Sequence, residues 1–273
     1  MKYILTFFYL SFFYLLSAQE AFFSKQAIYN LVYQPDSLDV GSSKNIHMEL
    51  LMNNEFSFFQ TLRKRQQDSV LCYHNSQSNS FSRGGIVMRL PSKLNYVVKK
   101  SSDSISVFDS AFGTDINGKE PIYHYTETPL NWELKEDTLH YADFICQKAE
   151  LFYGGRKWIA WFTSDIPISD GPYKFNGLPG LIVKISDDKN HWNFELVSFK
   201  DVSVRHTINF QNWYVVQKKS KKQLFDDRRT FQNSLITQLE NQGVNKAEPE
   251  YVKIKSSWAH MLEKDNNWIE LVY

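Results

Sequence analysis

The sequence predicts an α+β protein: a mainly antiparallel, curved β-sheet, a half-barrel-like meander, packed against one main C-terminal helix. Three observations predict it. Aromatic residues are in excess, with 21 Phe, 15 Tyr and 7 Trp making up 16% of the 273 residues, and flat rings suit a pleated, half-buried surface. Short apolar runs recur between turn signals along most of the chain, which is the rhythm of consecutive hairpins. One long amphipathic period stands apart, in Lys221–Gln242. The formal charge of +1 excludes a globally basic chain of the kind that coats nucleic acid. Two cysteines exclude a disulfide-dense scaffold.

Residues 1–19 (MKYILTFFYLSFFYLLSAQ) set one positive charge, Lys2, before the apolar run Ile4–Leu16 and the small or polar Ser17, Ala18 and Gln19. This is the layout of a secretory signal peptide cut beside Ala18. A permanent anchor would need roughly 20 apolar residues. The expected organisation is a leader over 1–19 and a single β-rich domain over 20–273. Loss of Lys2 brings the 31 basic residues to 30, equal to the 30 acidic ones. In an oxidising compartment Cys72 and Cys146 are free to pair, and two thiols packing as small hydrophobes are the alternative.

The elements follow in order. Gln26–Gln34 reads as a strand closed by Pro35-Asp36-Ser37. Ile46–Met52 and Glu55–Gln60, parted by Asn53-Asn54, read as a hairpin of the primed-turn type. Residues 61–85 read as a short helix or turn followed by an exposed, polar excursion. Strands resume at Lys93–Lys99, Ser104–Phe108, Pro121–Tyr125 and Trp132–Lys135. Ala142–Tyr153 and Lys157–Thr163 flank Gly154-Gly155-Arg156, a second hairpin. Because Trp158, Ala160 and Phe162 alternate with Ile159, Trp161 and Thr163, this strand is apolar on both faces and should be sandwiched. Leu181–Ile185 and Trp192–Val197 pair around Asp187-Asp188-Lys189-Asn190. The helix carries Leu224, Phe231, Leu235 and Leu239 on one stripe, and Gly243 suits its left-handed cap.

The most distinctive stretch is Gly171–Ile182 (GPYKFNGLPGLI). In Leu178-Pro179-Gly180-Leu181 the Pro fixes φ near −65° and the Gly accepts a positive φ, which together specify a type II turn. So apolar a turn belongs against the core or a partner. A buried corner that fixes register and a recognition loop over an apolar cavity are the two readings.

On these residues the chain resembles the GLPGLI family of exported Bacteroidetes proteins. The resemblance runs through Tyr33-Gln34-Pro35-Asp36-Ser37, Tyr141–Ala149, Gly155–Thr163, Ile166-Pro167-Ile168, Gly177–Ile182 and Lys264-Asp265-Asn266-Asn267. It departs at Trp268, where similar chains carry Asn-Pro. The resemblance implies export in a diderm bacterium, to the periplasm or outer-membrane periphery, and a β-rich architecture. It implies no activity.

Motifs for chemistry are sparse. The histidines at 47, 74, 124, 140, 191, 206 and 260 include no pair at metal-ligand spacing, and no nucleophile elbow, phosphate loop or dinucleotide fingerprint occurs. No metal, cofactor or catalytic residue is assigned. Asp187-Asp188 reads as a hairpin turn, Arg156 as an internal salt bridge or solvated charge, and Lys218–Lys222 as a solvated helix start that could also meet anionic lipid. What remains is the aromatic concentration. The leading expectation is a non-enzymatic envelope protein that contacts an apolar small molecule or an envelope protein through Trp158, Trp161, Tyr173, Phe175, Leu178, Pro179, Leu181 and Trp192. Nucleic acid is not an expected partner, and peripheral contact with a membrane is compatible. The rivals are a hydrolase assembled from His124, His140, Asp187 or Glu195, and a structural accessory of an outer-membrane assembly.

Overall fold

Strand pairing follows the sequence rhythm over most of the chain. The computed structural model describes residues 19–65, 94–110, 120–208, 214–241, 243 and 245–272. The strands are β1 (Gln19–Tyr33), β2 (Lys44–Met52), β3 (Ser57–Thr61), β4 (Val97–Lys100), β5 (Ile105–Ser110), β6 (Glu120–Glu127), β7 (Glu133–Tyr141), β8 (Phe144–Tyr153), β9 (Arg156–Thr163), β10 (Leu181–Asp187), β11 (Trp192–Ile208) and β12 (Tyr214–Lys218). They form one sheet in the order β12-β6-β5-β4-β3-β2-β1-β11-β10-β9-β8-β7. The sheet is mixed rather than a plain meander: β1 lies between β2 and β11, and β12 pairs with β6 in parallel.

The register separates two faces. Ile46, Leu31, Phe194, Ile185, Ala160 and Ala149 oppose one another across six strands; five belong to the main hydrophobic core and Ile46 packs against it. One residue along, the row is His47, Asn30, Glu195, Lys184, Trp161 and Lys148, polar apart from its tryptophan. A period of two thus divides core from solvent. The apolar second face of β9 amounts to Ile159 and a half-buried Trp161 among charged neighbours.

The sheet bends back on itself. The Tyr153 hydroxyl on β8 donates to Glu127 Oε2 on β6 at 2.7 Å, although these strands stand nine places apart in the order. At about 4.8 Å per strand a flat sheet would hold them roughly 40 Å apart.

Turn chemistry agrees with expectation at one hairpin and departs from it at two other turns. Gly154 and Gly155 take φ of 58° and 77° between the paired Tyr153 and Arg156, the conformation a two-residue primed turn requires. The β2–β3 connection is instead a four-residue loop, in which the Asn53 N–H donates to Phe56 O at 3.1 Å. Asn53 Oδ1 accepts from the Glu55 and Phe56 N–H groups, so the asparagine builds the loop with its side chain. Nor is 178–181 a type II turn. Gly180 is nearly extended, with φ 159°, and its N–H closes a three-residue turn onto Leu178 O at 2.8 Å, while the Leu181 N–H goes to Ile166 O at 3.0 Å.

Two helices follow the strands, where the sequence singled out one: α1 (Lys221–Asn241) and α2 (Pro249–Lys264). Ser220 and Gln223 form a reciprocal capping box on α1, with the Gln223 N–H on Ser220 Oγ and the Ser220 N–H on Gln223 Oε1. Gly243 takes the left-handed conformation after its end, at φ 82°. Leu224 from the expected stripe is fully buried and Phe231 half-buried; the side chains of Leu235 and Leu239 lie outside the described residues. Helix α2 buries only Tyr251 and Trp258, while Val252 and Ile254 are exposed, so its apolar residues mark no single buried stripe. No helix among the described residues is long and apolar enough to cross a membrane. Residues 62–65 are helical as expected; the rest of the 61–85 excursion, Cys72 and residues 1–18 lie outside the described residues.

Candidate functional site

The connection between β9 and β10, residues 164–180, turns inward and fills the hollow of the sheet. Its stretch 171–178 is buried at every position except Gly177. It touches strands across the whole sheet order. Lys100 on β4 pairs with Asp170 at 2.6 Å and also donates to Gly171 O. The Tyr96 and Tyr173 rings lie 5.1 Å apart. Trp132 Nε1 donates to Asn176 O at 2.7 Å, and the Phe175 ring lies 4.6 Å from Trp158. The aromatic face is therefore filled by the protein's own chain. Tyr173 holds a positive φ of 52°, a conformation that costs a bulky residue roughly 1–3 kcal/mol and persists only when its surroundings impose it.

What surrounds Tyr173 is a buried ring of charges. Lys174 Nζ, fully enclosed, lies 2.6 Å from Glu270 Oε1 and 2.7 Å from Glu127 Oε2. Lys221, the first residue of α1, closes the ring at 2.8 Å from Glu127 Oε1 and also pairs with Glu270. Lys174 further donates to the hydroxyls of Tyr125 at 3.1 Å and Tyr153 at 2.9 Å, and the Tyr173 hydroxyl donates to Glu270. Its ammonium lies 5.0–5.5 Å from the rings of Tyr125, Tyr153 and Tyr173, which adds cation–π attraction. Burial raises the Glu127 carboxyl, but Lys174 and Lys221 outweigh it and hold it down at about 2. The same cations lower Glu270 against its own burial. Burial foremost, then the two carboxylates, pushes the Tyr153 hydroxyl far up. Two cations and two anions cancel. The arrangement clamps the inward connection to β6, the start of α1 and Glu270 near the chain's end.

The clamp's reach explains its composition. Glu270 sits on a C-terminal strap, residues 265–272, that crosses the open ends of β1 and the β8–β9 hairpin. Asn267 donates to Gln34 O at 2.7 Å and its N–H to Pro35 O at 2.9 Å. Asn266 donates to Asp36 at 2.8 Å; with the Leu38 N–H and Lys264 it holds that carboxyl at about 2. The Leu271 N–H reaches Gly154 O at 2.7 Å. Arg156, 4% exposed, pairs with Asp187 Oδ2 at 2.7 Å and donates to Asn267 and to the carbonyls of Trp268 and Ile269. Asp187 Oδ1 accepts the Trp192 N–H at 2.8 Å. Arg156 is thus the internal salt bridge of the two readings, and Asp187 is its partner. Lysine could not reproduce this fork. Arg156→Lys is expected to cost about 2 kcal/mol and to speed amide exchange in residues 267–272, measured by urea unfolding and mass-detected exchange.

The residues expected to contact a ligand divide by burial. Trp158, Tyr173, Phe175, Leu178, Leu181 and Trp192 are all under 5% exposed; Trp161 faces the polar side, half-buried, and only Pro179 is exposed. The four hydrolase candidates do not converge. His124 stacks on Phe108 at 4.5 Å, and burial, then Lys218, lowers it; His140 is exposed on edge strand β7. Glu195 pairs with Lys184 at 2.8 Å on the polar face, away from the buried Asp187. No group of three or more His, Cys, Asp or Glu side chains among the described residues is placed to hold a metal. Cys146 is buried, and burial raises its thiol. Of the basic run, Lys221 enters the clamp, Lys222 pairs with Asp226 at 2.5 Å and Lys219 lies over Tyr123. Sequence reasoning missed Glu127, Glu270 and Lys221 as one site. Only Lys174, an isolated cation inside an apolar motif, signalled it.

An open concavity lies elsewhere. At the end of the sheet, Ala21, Phe22, Ser24 and the loop residues Asn53, Asn54, Glu55 and Phe56 line a groove of about 430 Å³, within the range of roughly 300–1,000 Å³ typical of ligand sites. Phe22 is 59% exposed. Arg205 lies 4.8 Å over its ring on one face of the sheet, whereas Phe56 packs on Phe23 on the other face, with Lys99 4.3 Å over its ring.

Known proteins give a fold likeness and a family-model match over part of the chain. No curated protein matches significantly. Two crystal forms of PNGF-II are similar in structure, with TM-scores of 0.49 and 0.50 at 12% and 13% identity; each match covers 76% of this chain and 33% of the other. The chain spans about a third of the length of those structures, and the likeness concerns fold alone. Residues 150–184, from the end of β8 through the inward connection to β10, match the model of a family described as a protein of unknown function (Porph_ging), and it is in this segment that the sequence most specifically resembles the GLPGLI family.

Proposed function

We propose that the protein is an exported, non-enzymatic binding protein of the cell envelope, and that its contact surface is the groove between the start of β1 and the β2–β3 loop. The observation that carries the proposal is the contrast between the two sites. The charged cluster at Lys174 is neutral, internally paired and mostly buried, whereas the groove presents the ring of Phe22 to solvent. The layout of residues 1–19 supports export. An occupant with an apolar body and an anionic end suits the exposed Phe22 ring and the Arg205 guanidinium over it. Native mass spectrometry of protein purified from its own envelope tests this. A bound species is expected in the unaltered protein and its loss in Phe22→Ser, with no change in thermal midpoint because the side chain is exposed. An unaltered protein that carries nothing, or a bound species indifferent to Phe22→Ser, would contradict the proposal.

A further inference from the structure

Strand β1 is paired with β11 from Gln19 onward but with β2 only from Lys25. Over residues 19–24 the other edge of β1 therefore has no strand beside it among the described residues, and this is the edge that the groove exposes. The Asn53 side-chain amide donates to Phe22 O at 3.1 Å, which fixes the direction of that carbonyl: it points into the groove. In an extended chain the N–H and C=O of one residue point to the same side, so the Phe22 N–H is aimed there too. We infer that the groove accepts an extended peptide segment of a partner protein, which adds a strand to β1 in the place that β2 leaves empty.

The chemistry of the occupant follows from the walls. Backbone hydrogen bonds to Phe22 and its neighbours supply attachment that is indifferent to sequence, and side-chain pockets supply selectivity. Six residues of open edge measure about 20 Å, so the paired segment is short. Residues on the side of the Phe22 ring should be apolar and should occur at every second position, while those between them lie on the Phe56 side. Arg205, 4.8 Å over the Phe22 ring, favours an acidic residue at one end of the segment. The loop 53–56 forms one wall of the groove, so the slot suits a single extended chain and not the broad sheet edge of a second copy.

This inference rests on the groove being the contact surface, and the test separates the two. The probe is the capped synthetic peptide Asp-Val-Thr-Phe-Thr-Val-Asp, with two analogues N-methylated on one or the other alternate set of amides. Strand addition predicts binding of the parent peptide with slowed amide exchange at Phe22. It also predicts that one analogue binds at least tenfold more weakly while the other keeps its affinity, because only one set of amides faces β1. Equal binding of all three peptides would show attachment through side chains alone, overturning strand addition but leaving the groove in place. If none of the peptides binds, strand addition is overturned; if the native bound species is also indifferent to Phe22→Ser, the groove falls with it.

Discussion

Gly180→Ala is expected to lower stability by about 3 kcal/mol, among the largest effects of any single methyl group in this protein. A Cβ at Gly180 would lie 2.0 Å from Thr163 O and 2.6 Å from the Thr163 carbonyl carbon. Both are backbone atoms of β9, so neither can swing away as a side chain could. The inward connection leaves β9 at Thr163 and returns to β10 at Leu181, and the two strands pair there; the missing side chain lets the chain close so tightly. A control separates close approach from turn conformation. Asparagine tolerates a left-handed backbone, so Gly180→Asn would be mild if the residue served a type II turn, whereas steric exclusion makes it at least as damaging as alanine. At Gly243, with φ 82° and nothing within 4 Å of a Cβ, asparagine should be accepted and alanine should cost about 1 kcal/mol. Urea midpoints of the four variants decide between these accounts.

Lys174→Met should cost about 3–5 kcal/mol, the usual effect of removing one partner from a buried ion pair. It leaves Glu127 and Glu270 facing each other with Lys221 as their only cation in the ring. Adding Glu270→Met should recover part of the loss, because one cation and one anion then remain; a coupling of about 0.5–3 kcal/mol is expected between the two sites. The pH dependence has a defined sign. Glu127, at about 2, and Glu270, also lowered, both bind protons less readily in the folded state than in the unfolded chain, where glutamate titrates near 4.3. The stability they contribute is complete above about pH 5 and is lost as pH falls toward 2. The unaltered protein should therefore weaken across that window, and Lys174→Met should start less stable at neutral pH and lose less on acidification. A variant with the same slope as the parent would show that the ring does not govern acid stability.

Much of the fold was legible because local periodicity and turn residues acted together. The β8–β9 hairpin was readable from Gly154-Gly155, and β11 from the alternation of Trp192, Phe194 and Leu196 with Asn193 and Glu195. The Asn53-Asn54 and Pro179-Gly180 turns were misjudged for a common reason: dipeptide preferences describe backbone conformation in isolation. Here an asparagine side chain and a strand 15 residues or more away in sequence decide the geometry. The clamp was illegible for a deeper reason. Glu127, Lys174, Lys221 and Glu270 come from a strand, a connection, a helix start and the C-terminal strap, so no local spacing relates them. Three of the segments that carry the resemblance, 33–37, 155–163 and 264–267, meet in the structure around Arg156, Asp36 and Asn267. Their shared role is mechanical.

The central claim is that residues 171–178 form the filled interior of a curled sheet, clamped by Lys174 and Glu270, rather than a loop over a hollow face. Amide hydrogen exchange across this stretch tests it most directly. Protection comparable to that of the central strands β1 and β11 is expected, with a marked and selective loss in Lys174→Met. Exchange of residues 171–178 at the rate of an exposed surface loop in the unaltered protein would contradict it.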